Sequence, residues 1–220
     1  MIRNVLVIVF ISVYSILFGQ ESMGKITYQI DFSSEDDQLK ATLGFLQGSK
    51  MDVYYQDQFT RSEMSMGSMM TISTITDTIG ENVIVLMDGV NGKTAIKTPM
   101  SEIEELEDTT IASPMYLEEY KEILGFSCQK VIVENAAGEK SNYWITREIN
   151  AARVGQNYLS DEVDGFPLEF ELYNKGLKMH LTAINYSNHL EGVNTDELFN
   201  SYIPKGYRVL SKEELFQTGF

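Results

Sequence analysis

Cysteine is nearly missing from this chain: Cys128 is the single one among 220 residues. No intramolecular disulfide can form, and a cysteine-rich zinc site has no ligands to draw on. Histidine is almost as scarce, with His180 and His189 alone. Neither lies in a nucleophile or metal motif, so both read as surface residues. Phosphate loops, dinucleotide fingerprints and nucleophile elbows are also missing, and the expectation is a protein that is not an enzyme. Positive charge is in short supply: 17 Lys and Arg face 32 Asp and Glu, a net charge of −15. That balance excludes the basic footprint nucleic acid requires and works against adhesion to anionic lipid.

Long apolar runs are confined to one place. After Arg3, residues 5–18 are almost unbroken in hydrophobicity, and polarity returns at Gln20-Glu21-Ser22. This is the layout of a secretory leader over residues 1–20. The junction Leu17-Phe18-Gly19-Gln20 has no cysteine to acylate, so a lipoprotein signal is excluded. A retained anchor is the competing reading, but 14 residues of helix reach about 21 Å against a bilayer core of about 30 Å. Cleavage leaves residues 21–220 as one domain without a stable membrane anchor. Its charge is 16 − 32 = −16, and its expected location is the periplasm, with secretion or outer-membrane association as variants.

Period-2 alternation fills the rest. Ile26, Tyr28, Ile30 and Phe32 share one face, and Leu39, Ala41, Leu43 and Phe45 repeat the spacing. Phe166, Leu168, Phe170 and Leu172 pair through the turn Asn174-Lys175-Gly176 with Leu177, Met179, Leu181 and Ala183. Further hairpin connections read at Asp88-Gly89 to Asn91-Gly92 and at Ala137-Gly138. About ten strands are predicted, with neither repeats nor low-complexity linkers: an α+β, mainly β fold built on antiparallel sheet.

Helical signals are local. Ser101 and Glu104 have capping-box spacing, as do Ser211 and Glu214, where Leu210 and Leu215 add a hydrophobic staple. A third helix is predicted over 113–125, with Ser113 as cap, Pro114 at the first turn, Gly125 past the end and a stripe of Tyr116, Tyr120, Ile123 and Leu124. The eight carboxylates between Glu102 and Glu122 then decorate helix starts and solvated faces. Ser34-Glu35-Asp36-Asp37 lacks the alternating ligands and glycine of a calcium loop and reads as a turn.

Met64, Met66, Met69 and Met70 crowd seven residues. Thioethers can bind Cu(I), line an adaptable apolar cavity, or fill a core. Cys128 reads as a small buried packing residue. Trp144 shares a strand face with Asn142 and Thr146, as core or as a pocket rim.

Several of these segments resemble a known group. Ile123-Leu124-Gly125-Phe126-Ser127-Cys128-Gln129-Lys130-Val131, followed by Tyr143-Trp144-Ile145-Thr146, is similar to an exported Gram-negative family of unknown function in the LolA-like superfamily of periplasmic lipoprotein carriers. Residues 24–30, Arg61-Ser62-Glu63-Met64 and Ile203-Pro204-Lys205-Gly206-Tyr207 match it too. The resemblance implies a curved half-barrel sheet around a few short helices, an apolar cavity for acyl chains, and no catalytic residue; neither a metal nor a cofactor is expected. Met64, Met66, Met69, Met70, Trp144, Phe170 and Met179 are the expected cavity lining. The ligand would be a lipid or acyl chain. The alternative is an envelope module with a self-filled core that works by contact with another envelope protein.

Overall fold

The computed structural model describes residues 23–90, 92–104, 112–134, 138, 140–152, 163–174, 176–211 and 214; the expected leader lies outside them. Strand β1 (Met23–Ser34) leads into helix α1 (Asp37–Thr42) and a 3-10 turn, Leu43–Leu46. A meander follows: β2 (Lys50–Gln56), β3 (Phe59–Met66), β4 (Met70–Asp77), β5 (Asn82–Gly89) and β6 (Gly92–Pro99), then α2 (Met100–Glu104). The second half runs β7 (Ala112–Ile123), β8 (Phe126–Glu134), β9 (Lys140–Thr146), β10 (Phe166–Asn174) and β11 (Leu177–Ser187), with α3 (Thr195–Leu198) and β12 (Arg208–Val209) after it. All twelve strands join one curved, unclosed sheet, ordered β12-β6-β5-β4-β3-β2-β1-β11-β10-β9-β8-β7. The two-residue β12 runs parallel to β6; the other pairings are antiparallel. The mainly β architecture is the expected one.

Alternation sets the core. Ile30, Leu181, Phe170, Tyr143, Val131 and Tyr116 stand side by side across β1, β11, β10, β9, β8 and β7. Neighbouring rows add Ile26, Tyr28, Cys128, Ile145, Phe166 and Leu168, all buried. Tyr28 Oη donates to the Pro167 carbonyl at 2.7 Å, reaching from β1 over β11 to β10. Strands two apart in a flat sheet are about 9.6 Å from one another, so this contact needs the sheet to curl toward the core face. Ala183, opposite Tyr28 on β11, is small enough to let the ring pass.

Two local readings are corrected by pairing. The predicted helix over 113–125 is strand β7, hydrogen-bonded to β8 from Ala112↔Glu134 to Ile123↔Phe126. Leu124 (φ 53°) and Gly125 (φ 89°) both occupy the left-handed region and make a two-residue hairpin turn. Caps and propensities are worth about 1 kcal/mol or less each, and a continuous ladder outweighs them. β7 is the sheet's last strand, and Pro114 falls where its register slips between Ala112 and Met115, a place on an edge where no ladder N–H is needed. A second slip separates Tyr116 from Tyr120.

The second correction runs the other way. Leu39, Ala41, Leu43 and Phe45 alternate like a strand but lie in α1 and the 3-10 turn, where nothing is buried. Asp36 Oδ1 accepts from the Gln38 N–H at 2.7 Å and the Leu39 N–H at 3.3 Å, capping α1 at its start. The other expected helix, at Ser101, forms as α2. Ser211 and Glu214 make both capping-box bonds, Ser211 N–H to Glu214 Oε2 at 3.0 Å and Glu214 N–H to Ser211 Oγ at 3.3 Å; Leu215 lies outside the described residues.

The stretch from Ile203 to Leu210 folds around the β6 edge. Ile203 and Tyr207 pack on Ile75, Ile84, Leu86 and Ala95 on one face of the sheet. Arg208 and Val209 pair with Thr94 and Ala95. Leu210 donates its N–H to the Ala95 carbonyl at 2.8 Å and packs with Met87 and Ile96 on the other face. An edge that would otherwise offer free backbone groups is thereby closed over two residues.

Candidate functional site

The core face continues from β1 onto β2–β6, and methionine dominates it there. One row reads Tyr28, Met51, Met64, Ile72, Met87 and Thr94 across consecutive strands. The next row, at the end of the arm, reads Met66, Met70, Gly89 and Gly92. Two glycines at the row's end leave bare backbone where side chains would stand. A cavity of about 550 Å³ opens over this floor. Met66, Met70 and Met87 form its base, Leu46 from the 3-10 turn one wall, and Leu210 with Thr94 another. Met69 and Val90, in the flanking turns, stand exposed at the rim.

Gly67 ties the wall to the floor. It sits at φ 54° in the β3–β4 turn, its N–H donates to Ser49 Oγ at 3.1 Å, and a Cβ there would run into the Phe45 carbonyl oxygen. Glycine is what allows the 3-10 turn to lie against β3 and present Leu46 to the cavity.

Arg208 is the only charged side chain among the described lining residues. Its Nη1 contacts Glu214 Oε1 at 3.1 Å. None of the described lining residues is Asp, Glu, His, Cys or Lys.

The sequence-expected lining residues are only partly brought together. Met66, Met69 and Met70 share the cavity. Met64 stands one row inward, half-buried against the main core. Met179 is half-buried between Phe32 and Leu172 on the opposite arm. Phe170 is 0% exposed, stacked on Tyr143 and edge-on to Tyr28, each at 5.7 Å between ring centroids. Trp144 lies on the other face of the sheet, in a row with Glu169 and Lys130, with Lys121 Nζ 4.3 Å from its ring centroid. Sequence reasoning missed Leu46, Met87, Val90, Arg208 and Leu210. Met87 could have been found from its place before the Asp88-Gly89 turn; nothing local marks Arg208.

The other candidates are structural. Cys128 is buried, and burial pushes its thiol up to about 12, against the opposing pull of the Lys121 charge; a neutral buried thiol is a poor nucleophile. His180 Nε2 is 3.5 Å from Glu169 Oε1 on the outer polar face. Glu118, Glu119 and Glu122 lie on β7, not on a helix, and Glu119 pairs with Lys130 at 3.1 Å. A second cavity, about 720 Å³, lies under the C-terminal segment, but Arg61 on its wall is engaged by Glu63 and by the Leu198 carbonyl at 2.9 Å. Arg61 thus anchors the end of α3.

No protein-family model matches the chain, and no curated protein does. Among solved structures, PNGF-II aligns over 89% of this chain at 12% identity with a TM-score of 0.52, and the match covers 32% of PNGF-II. The chain therefore spans about a third of that protein's length. An uncharacterized conserved protein from Thermus thermophilus aligns over 86% of this chain and 90% of its own, at 14% identity and TM-score 0.45. A LolA superfamily protein from Nitrosomonas europaea aligns over 83% and 92%, at 9% identity and TM-score 0.23. Of these three, PNGF-II alone exceeds a TM-score of one half, and what it shares with this chain at 12% identity is the fold.

Proposed function

We propose that this protein is a non-catalytic binding protein of the periplasm that holds a single acyl chain or a similar apolar ligand in the methionine-lined cavity. The observation that carries this reading is the wall itself. Met66, Met69, Met70, Met87, Leu46 and Leu210 surround an open space, with neither an acid–base pair nor a nucleophile among the described lining residues. Methionine is flexible and polarizable, and suits a chain of variable length. The volume lies within the roughly 300–1,000 Å³ of small-molecule sites. Each buried methylene contributes about 0.8 kcal/mol, so ten bring about 8 kcal/mol before the cost of immobilising the ligand. What remains is a reversible affinity, as a carrier requires.

A second reading draws on the filled centre of the sheet, where Tyr28, Phe166 and Phe170 leave no room for a guest. On that reading the protein works by contact with another envelope protein. Lipid content separates the two. The full chain, expressed with its leader in a Gram-negative host and purified without detergent, is expected to carry lipid by native mass spectrometry and in an organic extract. Met70→Glu, which buries a charge in the cavity floor, is expected to remove it. A wild-type protein of bare polypeptide mass with a lipid-free extract overturns the acyl reading.

A further inference from the structure

Among the described lining residues the side chains are apolar except for Thr94 and Arg208, and Arg208 alone is charged. It lines the cavity in a chain whose net charge is −15. Its place is fixed by the pairing around it: Arg208 stands beside Thr94, the next residue in the row after Met87, and Leu210 is buried against Met87 and Ile96. The pairing thus sets the Arg208 backbone beside Thr94 at the edge of the methionine floor, and its side chain lines the cavity while its Nη1 meets Glu214 Oε1.

We propose that the ligand is a long-chain carboxylate, a free fatty acid, whose chain lies over Met87, Met66 and Met70 and whose head is received by Arg208. This rests on the reading of the cavity as an acyl site and adds the identity of the polar end. One guanidinium suits one negative charge, and its planar fork matches a carboxylate. The protein already shows the pairing in its own residues. Glu214 Oε1 occupies Nη1 at 3.1 Å, and Glu214 is set there by its reciprocal bonds with Ser211. That contact uses one of five guanidinium donors. Both partners are exposed, Arg208 to 64% and Glu214 to 44%, so the pair is weak and a ligand carboxylate can share or displace it. Glu214 acts as a tethered competitor, and the polar end of the site is preformed.

Titration of the full chain, freed of bound lipid, with dodecanoate, dodecan-1-ol and dodecylamine tests this. Wild type is expected to prefer dodecanoate to dodecan-1-ol by on the order of fivefold, the effect of a partly exposed ion pair, and to bind dodecylamine least. Arg208→Gln is expected to bring the dodecanoate-to-dodecanol ratio near one. Glu214→Gln keeps Arg208 but removes the competitor, and is expected to raise the ratio, an effect that a merely structural role for the pair would not produce. Equal affinity of wild type for dodecanoate and dodecan-1-ol overturns the carboxylate assignment and leaves the acyl site standing. A preference for dodecylamine does the same. If none of the three binds, the acyl reading itself fails, and this assignment with it.

Discussion

Phe170 distinguishes a packed core from a ligand-bearing cavity, because its alternation suits either and its surroundings only one. It is 0% exposed at the centre of the row Ile30, Leu181, Phe170, Tyr143, Val131. Truncation of a buried phenylalanine to alanine costs about 3–5 kcal/mol. Each aromatic pair adds about 0.5–1.5 kcal/mol beyond its area, and Phe170 makes two, with Tyr143 and Tyr28. Phe170→Ala should therefore fall well inside that range, about 4 kcal/mol. For a chain of this size 1 kcal/mol shifts Tm by about 2–4 °C, so the expected loss is about 8–16 °C. Phe170→Leu should lose about 1–2 kcal/mol and stay folded. Calorimetry measures the first effect, and dodecanoate titration of the leucine variant measures the second. Ligand affinity should be unchanged, since Phe170 lies on the other arm from the methionine floor. A fall in Tm of under about 4 °C for Phe170→Ala, or a folded Phe170→Leu that no longer binds, would refute the assignment of this region as filled core.

Two further perturbations probe the cavity wall and the outer face. Gly67→Ala forces a non-glycine residue to φ 54° and drives a Cβ into the Phe45 carbonyl; the strain alone costs about 1–2 kcal/mol, and Leu46 must move. Urea denaturation should show a loss larger than that of Gly48→Ala, which has a positive φ but open space around it, and ligand binding should weaken in Gly67→Ala; equal losses in the two variants would sink the account. Burial pushes the Glu171 carboxyl up, but hydrogen bonds from Lys178 and Asn142 outweigh it, leaving its pKa below the ordinary 4.5. A lowered folded pKa gives stability that is present above 4.5 and lost as pH falls through the folded value. Glu171→Gln should therefore be less stable than wild type near neutral pH, by about 1 kcal/mol, with the gap closing in acid; a gap that widens on acidification contradicts this.

Alternation in β1, β10 and β11 needs no partner to be visible, because side chains of a strand point to opposite faces whatever lies beside it. Those strands, their hairpin turn and the glycine turns at Gly89 and Gly92 could be read directly from the residues. The stretch from Ser113 to Gly125 could not. Its caps and stripe are local features, and the force that made it β7 comes from β8 and the edge of the sheet. Residues 39–45 fail for the converse reason: alternation without a neighbouring strand to pair with yields to an Asp36 cap.

The same division holds for the candidate site. Composition makes this an acidic chain with one thiol and two histidines, and residue order alone makes it a chain built mainly of strands with methionines concentrated between residues 64 and 70. Which methionines share a cavity was decided by register: Met66 faces Met70 and Met70 faces Gly89, while Met64 is paired one row inward. Arg208 reaches the same rim through a two-residue parallel contact with Thr94 and Ala95, more than a hundred residues earlier in the chain. Curvature decided the rest, since it brings Tyr28 to Pro167 and fills the centre with the protein's own rings. Periodicity is a property of neighbours along the chain; registers, edges and cavities are properties of neighbours in space, and only the folded sheet sets them.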